Sequence, residues 1–137
     1  MALYYFDTSI WLDLFENRDE PNFPKGKWAE QLVQKILRED GRIIFSNVNI
    51  EELTRFGYGH QEIWNRMGGL RKIVIFVRSK EKLRGKAKDL SEKRNVPLAD
   101  ALHALIARDT RSLLVAFDKD FEKLRDITLS HKPNSLI

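Results

Sequence analysis

The sequence predicts a three-layer α/β fold, in which a mainly parallel sheet of four to five strands is flanked by helices. Short apolar segments alternate along the chain with longer amphipathic ones, as strands alternate with helical crossovers in such folds. The length of 137 residues suits one domain spanning residues 1–137. A hydrophobic content of 42% is typical of globular proteins, so a core is expected without disulfides.

The first half of the chain holds two predicted strands and three predicted helices. Apolar residues fill the strands, and Thr8 or Ser9 offers an N-cap for the first helix. A polar stretch with two prolines predicts a loop, and Gly41 is placed to end the second helix. In order, the elements are a strand over 2–7, a helix over 8–15, a loop over 16–26, a helix over 28–39, a strand over 42–46 and a helix over 47–57.

The second half repeats the alternation. Its longest helix is highly charged, and Pro97 suits the first turn of the helix after it. In order, the elements are a short helix over 62–67, a strand over 72–77, helices over 79–94 and 97–110, a strand over 112–117, a helical turn over 121–124 and a short edge strand over 127–129.

Composition excludes several classes of function. The chain has no cysteine, which removes disulfides, thiolate catalysis and cysteine-based zinc sites. No apolar run reaches the roughly 18 residues of a membrane span, and no signal-peptide pattern opens the chain. A cytoplasmic protein without a membrane association is therefore expected.

Positive charge is concentrated in one segment. The net charge is only +4, but residues 71–94 hold ten basic residues against three acidic ones. Lys80, Arg84 and Lys88 recur every four residues on one side of the predicted helix. This row is a candidate surface for RNA or another acidic partner, and a solvated helix face explains it equally well.

Two acids follow the first two strands. Asp7 ends the first strand directly. On the helix after the second strand, an advance of about 100° per residue puts Ile50, Leu53 and Phe56 on the buried side. Glu52 then lies at the border of that apolar stripe, whereas Glu51 lies near its solvent pole. Glu52 is therefore the stronger candidate for a cleft.

Three further acids lie near the later elements. Asp100 falls in the first turn of its helix, opposite the face formed by Leu98, Leu102 and Leu105. Asp118 and Asp120 follow the fourth strand, where ordinary loop acids are the alternative. His103 is expected to hydrogen-bond to local groups rather than to contact a site.

These acids are predicted to converge, because the carboxyl ends of parallel strands meet at one edge of the sheet. Carboxylates packed there repel one another, so raised pKa values, basic partners or a divalent cation must offset the repulsion. Oxygen donors without cysteine favour Mg²⁺ or Mn²⁺.

Four segments of the chain resemble motifs of the PIN-domain nucleases, in particular the small VapC-like toxins of type II toxin–antitoxin systems. They are "YYFDTSIWLDLF", "FSNVNIEEL", "VPLADALHALIA" and "LLVAFDKDFEKL". The resemblance implies a PIN-like fold and assigns the site to Asp7, Glu52, Asp100 and Asp118, with Asp120 as a secondary acid. The chain departs from the family at Ala116, where Thr or Ser is usual, and Thr8 or Ser9 could supply a hydroxyl instead.

The resemblance also implies an activity and partners. The activity is Mg²⁺- or Mn²⁺-dependent cleavage of RNA that leaves a 3′-hydroxyl and a 5′-phosphate. Asp7, Asp100 and Asp118 would hold the metal, and Glu52 would bind it directly or through water. A cognate antitoxin and a homodimer are the implied partners, with Trp28 and Leu32 as candidates for the antitoxin surface.

Other functions compatible with the sequence are a housekeeping RNA-processing PIN nuclease and a non-catalytic RNA- or protein-binding scaffold. The four filled acidic positions disfavour the scaffold. A phospho-acceptor signalling domain is set aside, since no Asp ends the third strand, "KIVIFVRSK".

Overall fold

Strands and helices alternate along the chain, and this computed structural model describes all residues from Met1 to Ile137. The strands are β1 (Leu3–Phe6), β2 (Asp19–Glu20), β3 (Phe23–Pro24), β4 (Arg42–Ser46), β5 (Val74–Val77), β6 (Leu113–Val115) and β7 (Ser130–His131). The α-helices are α1 (Thr8–Glu16), α2 (Lys25–Arg38), α3 (Asn47–Arg55), α4 (His60–Met67), α5 (Glu81–Arg94) and α6 (Leu98–Thr110). Short 3₁₀ helices cover Gly68–Ile73, Lys119–Leu124 and Pro133–Ser135.

The central sheet has five strands in the order β5-β4-β1-β6-β7, and every pair is parallel. The predicted parallel α/β sheet is thus confirmed. Strand β1 lies in the middle, with Tyr5 opposite Ile44 on one side and Leu114 on the other. The connections between the strands bring their carboxyl ends to one edge.

The alternation of side chains along the strands creates the three layers. Tyr4 and Phe6 of β1 lie in a hydrophobic cluster with α1, α2 and α4. Tyr5 faces the other way, into a second cluster formed with α5 and α6. Helix α3 lies beside α1, α4 and α6. None of the helices combines the length and the apolar composition that a membrane span requires.

The structure differs from the sequence prediction at two polar or terminal segments. The predicted loop over 16–26 contains the small antiparallel hairpin β2–β3, and α2 begins at Lys25. The predicted edge strand over 127–129 is wrong, because the backbone N–H groups of Ile127 and Thr128 donate to the carbonyl of Leu124 and close a turn. The edge strand β7 begins only at Ser130.

The predicted buried stripe of α3 is wrong at one position. The helix ends at Arg55, so Phe56 leaves the helical period and is 61% exposed. Leu53 remains fully buried and anchors the helix against the core. The exposure of Phe56 does not change the position of Glu52, because the first turn of α3 is fixed by its own capping hydrogen bonds.

Candidate metal centre

Asp7 is held at the carboxyl end of the central strand. Its backbone N–H donates to the carbonyl of Val115 over 3.0 Å, which extends the β1–β6 ladder by one residue. Asp7 as a whole is only 6% exposed, and its Oδ2 accepts a 2.8 Å hydrogen bond from the Ser9 hydroxyl. The prediction that Thr8 or Ser9 caps α1 is wrong, because Asp7 itself is the N-cap residue and no side chain bonds there.

Glu52 is placed by a capping box at the start of α3. The Ser46 hydroxyl accepts from the backbone N–H of Asn49, and the Asn49 side chain accepts from that of Ser46. This fixes the helix against the end of β4. Glu52 Oε1 then accepts hydrogen bonds from Thr8 Oγ1 at 2.7 Å and from His103 Nε2 at 2.6 Å.

Glu51 turns to a different surface from Glu52. Its carboxylate pairs with Arg84 of α5 at 3.2 Å, and both side chains are about two-fifths exposed, at 41% each. The choice between the two glutamates follows from the helical angle alone, as the sequence pattern suggested.

Asp100 lies in the first turn of α6. Pro97, which was predicted to lie in that turn, is instead the N-cap residue that precedes it. The carboxyl group is 7% exposed, and its Oδ2 is buried without a hydrogen-bond partner. Residues 100–107 of α6 are buried on every side, so the small side chains Ala104 and Ala107 lie against neighbouring elements rather than solvent. A buried carboxylate oxygen without a donor is a strong sign of a missing partner.

The last two acids lie in the turn after β6. Asp118 is the N-cap residue of the 3₁₀ helix that follows, and its Oδ1 accepts a 2.9 Å hydrogen bond from the backbone N–H of Asp120. Carboxylate oxygens of Asp100, Asp118 and Asp120 all lie within 4.8 Å of one another. Asp120, predicted as a secondary acid, is therefore part of this group.

A second group adjoins the first. One ligand atom from each of Asp7, Glu52 and His103 lies within 4.8 Å of the other two. The pKa of Asp100 responds to the charges of Asp7 and Asp118, which places the two groups in one electrostatic site. The structure thus brings together all five acids that the sequence nominated.

His103 contacts the acids of the site, which the sequence did not predict. It is fully buried and hydrogen-bonded to local groups, as expected, but one of those groups is Glu52 itself. Its Nε2 also lies 3.6 Å from Asp7 Oδ1. Its spacing of three residues from Asp100 is the only signal in the sequence, and a core histidine that serves packing alone is compatible with that spacing.

The electrostatics of the site follow from burial and crowding. Burial raises the pKa of Asp7 despite His103 and the Ser9 hydrogen bond. Burial, with the charges of Asp7 and Asp118, raises the pKa of Asp100 to about 8. Burial also acts to raise the pKa of Glu52, but the hydrogen bonds from His103 and Thr8 and the charge of His103 outweigh it, so the pKa of Glu52 is lowered. Although burial opposes it, the hydrogen bond to Glu52 and the nearby carboxylates raise the pKa of His103.

This donor set fits a hard divalent cation. Five of its six side chains are carboxylates, the sixth is His103, and it contains no sulfur, as Mg²⁺ and Mn²⁺ prefer. The unpartnered Oδ2 of Asp100 and its raised pKa describe a carboxylate whose charge lacks compensation from the protein. A bound cation would supply that compensation.

Ala116 lies beside this site with its methyl group buried at 3% exposure. No hydroxyl is available at that position. Ser9 places a hydroxyl on Asp7 instead, and Thr8 places one on Glu52. Thr8 and Ser9 thus steady two different acids.

Only some of the residues predicted to form the RNA-binding row and the antitoxin surface are exposed and free of other contacts. Lys80 and Lys88 are exposed, but Arg84 is paired with Glu51, so the row of three cations is interrupted. The candidate antitoxin contact Leu32 is wrong as a surface residue, because it is fully buried in the core. Trp28 is half-buried and lies beside the rings of Phe23 and Phe117, at centroid distances of 5.3 and 6.2 Å.

Comparisons with known proteins agree with this architecture. The family model described as "PIN domain" matches residues 4–127. A toxin–antitoxin complex from Klebsiella pneumoniae is similar over 97% of this chain and 98% of that one, with 19% identity and a TM-score of 0.67. VapBC2 from Rickettsia felis, bound to a DNA fragment from its promoter, is similar over 96% of this chain and 98% of that one, with 13% identity and a TM-score of 0.69. No curated protein matches the chain.

Proposed function

This chain belongs to the PIN-domain family, and we propose that it is a Mg²⁺- or Mn²⁺-dependent endoribonuclease that acts as the toxin of a VapBC-type pair. The observation that carries the proposal is Asp100, whose buried Oδ2 has no hydrogen-bond partner and lies among Asp118 and Asp120. A bound cation would compensate this group, which is why its geometry supports a metal site.

Each residue of the site has a proposed role. Asp7, Asp100 and Asp118 hold the metal, Asp120 supports them, and Glu52 meets the metal directly or through water. A metal held by these residues would supply Lewis-acid chemistry, by which water is activated and charge on the attacked phosphate is offset. The protein holds its carboxylates in fixed positions, since Ser9 orients Asp7 and the Asp120 backbone orients Asp118. Hydrolysis would leave a 3′-hydroxyl and a 5′-phosphate.

Purified protein tests this proposal directly. Labelled RNAs, including transfer RNA, are incubated with Mg²⁺ or Mn²⁺ and in parallel with EDTA. We expect cleavage only with the metal, and its loss in Asp100→Asn. The matched control is Asp109→Asn, since Asp109 lies on the same helix but pairs with Arg108 at the surface. Undiminished cleavage by Asp100→Asn, or cleavage in EDTA, would refute the metal-cluster assignment.

We further propose that an antitoxin covers the aromatic surface formed by Phe23, Trp28 and Phe117. The rings of Phe23 and Phe117 lie 5.0 Å apart, and Phe23 is 36% exposed. The two similar structures are toxin–antitoxin complexes, which supports a protein partner. Trp28→Ala should weaken binding of a small protein encoded next to this one, whereas Phe56→Ala should not. A housekeeping nuclease would lack such a neighbour.

A homodimer is proposed through the edge of the sheet. Strand β5 has a neighbour on one side only, and it exposes Ile75 at 39% and Phe76 at 41%. Exposed apolar edge strands favour association. Light scattering should give twice the mass of the chain for the wild type, and Phe76→Glu should give a monomer.

A further inference from the structure

A chain of buried hydrogen bonds runs beneath the acid cluster. The Tyr5 hydroxyl lies 2.5 Å from His103 Nδ1 and 2.7 Å from Ser46 Oγ. His103 Nε2 lies 2.6 Å from Glu52 Oε1. Tyr5, Ser46 and His103 are each fully buried. The chain therefore joins β1, β4 and α6 to the carboxylate of Glu52 on α3.

This placement of polar groups is specific to the site. Of the eight buried polar or charged residues that the fold contains, six lie in or beneath the cluster. They are Asp7, Thr8, Ser46, Asn49, Asp100 and His103. Apolar side chains would fill this part of the core without the need for matched partners, so buried networks persist where they orient something.

Both nitrogens of His103 are already engaged. Nε2 donates to Glu52. Nδ1 forms one hydrogen bond with the Tyr5 hydroxyl, which can act as its donor or its acceptor. Ser46 takes the complementary role at the other end of the chain. The ring is therefore held at both ends, and Nε2 is committed as a donor rather than as a metal ligand.

The same bonds select one oxygen of Glu52. Oε1 receives two donors, His103 Nε2 and Thr8 Oγ1, while Oε2 takes neither bond. Thr8 Oγ1 is itself fixed by a 3.0 Å hydrogen bond from Asn49 Nδ2. Oε2 is left as the oxygen with which Glu52 can meet a cation or its water.

We propose that Tyr5 and His103 form a positioning pair that orients Glu52, an inference that rests on the proposed nuclease function. His103 acts through Glu52, and Tyr5 acts through His103. Partners of this kind, one step removed from the metal ligands, typically change activity by about 10- to 100-fold when they are removed.

A double-mutant cycle separates positioning from general stability. Tyr5→Phe keeps the buried ring and removes only the hydroxyl. We expect it to lower kcat about tenfold with little change in KM. In a Glu52→Gln background the same substitution should have no further effect. The control is Tyr4→Phe, on the opposite face of the same strand, which should match the wild type. An equal loss in both backgrounds would overturn the proposal.

Nuclear magnetic resonance gives a readout independent of cleavage. The Nε2–H of buried His103 should appear as a slowly exchanging signal that disappears in His103→Gln. Tyr5→Phe should shift that signal and Tyr4→Phe should not, with or without metal. Loss of the Nε2–H on addition of Mg²⁺ would make His103 a ligand and overturn the proposal, as would an unshifted signal in Tyr5→Phe. If the wild type cleaves no RNA, the proposed function fails, and this measurement still decides the hydrogen-bond chain.

Discussion

The hydroxyl of Ser9 donates a 2.8 Å hydrogen bond to Oδ2 of Asp7, across only two positions of the chain. It supplies a hydroxyl to the acid cluster, whereas the buried Ala116 near Asp118 offers none. Asp7 is thus steadied by a hydroxyl from the first helix.

Ser9→Ala should therefore impair the site. Loss of a hydrogen bond to a charged carboxylate costs about 1.5–3 kcal/mol, or roughly 13- to 160-fold in rate or metal affinity. Ala116→Ser is the informative partner variant, and we expect it to change cleavage by less than about threefold. Steady-state cleavage and calorimetric Mn²⁺ titration check both variants. A larger effect at Ala116 than at Ser9 would contradict this division of roles.

Replacement of Asp100, which must take up a proton on folding at neutral pH, should stabilise the metal-free protein. The pKa of Asp100 is raised to about 8 in the folded state, so ionisation opposes folding. We expect Asp100→Asn to raise the free energy of unfolding in EDTA at neutral pH by about 1–2 kcal/mol. Thermal unfolding checks this, with Asp109→Asn as the control. A lowered melting temperature would mean that the charge is already compensated.

The stability of the metal-free protein should depend on pH in a defined direction. Because the folded pKa of Asp100 lies above its unfolded value, the folded state binds the proton more tightly. Its contribution is fully present below about pH 4 and is lost as the pH rises toward 8. Burial raises the pKa of Asp7 in the same sense. Urea unfolding between pH 5 and 8 should show a decline that is smaller in Asp100→Asn.

Metal affinity should rise with pH over the same range. A cation that binds Asp100 must displace its proton, so the apparent affinity should increase by about tenfold per pH unit below pH 8. Calorimetric Mn²⁺ titrations at pH 6, 7 and 8 measure this slope. Affinity that does not vary with pH would exclude Asp100 as a ligand.

The basic row on α5 should contribute unevenly to RNA binding. Lys80 and Lys88 are exposed, whereas Arg84 is paired with Glu51 at 3.2 Å. Lys80→Ala and Lys88→Ala should each weaken binding in EDTA and reduce the salt slope by about 0.7, and Arg84→Ala should do less. Lys72→Ala, which lies before β5 rather than after it, is the control. If all four substitutions weakened RNA binding equally, the overall positive charge rather than this row would determine binding.

The fold was predictable because its signals are local and repeated. Alternating apolar strands and helices predict the parallel sheet, and Asp7, Glu52, Asp100 and Asp118 can be placed at one edge from strand ends and helical angles alone. The hairpin β2–β3 was not predicted, because each of its strands has only two residues and is too short to show an alternating pattern. The exposure of Phe56 was not predicted, because the helical pattern was extended past Arg55, where α3 ends.

His103 and Tyr5 could not be assigned from the sequence for a different reason. Their significance depends on a hydrogen bond between residues 98 positions apart, which no local pattern reports. A tyrosine in a strand and a histidine on an apolar helix look like ordinary core residues until the strand and helix are packed together.

The acids of the site are spread over four elements, from Asp7 at the start of the chain to Asp118 near its end. No fragment that stops short of Lys119–Leu124 carries the full set. Under the proposed function, chains that end before Asp118 would therefore lack a complete metal site. The order of the residues along the chain would thus make synthesis through Asp120 a condition of the proposed activity.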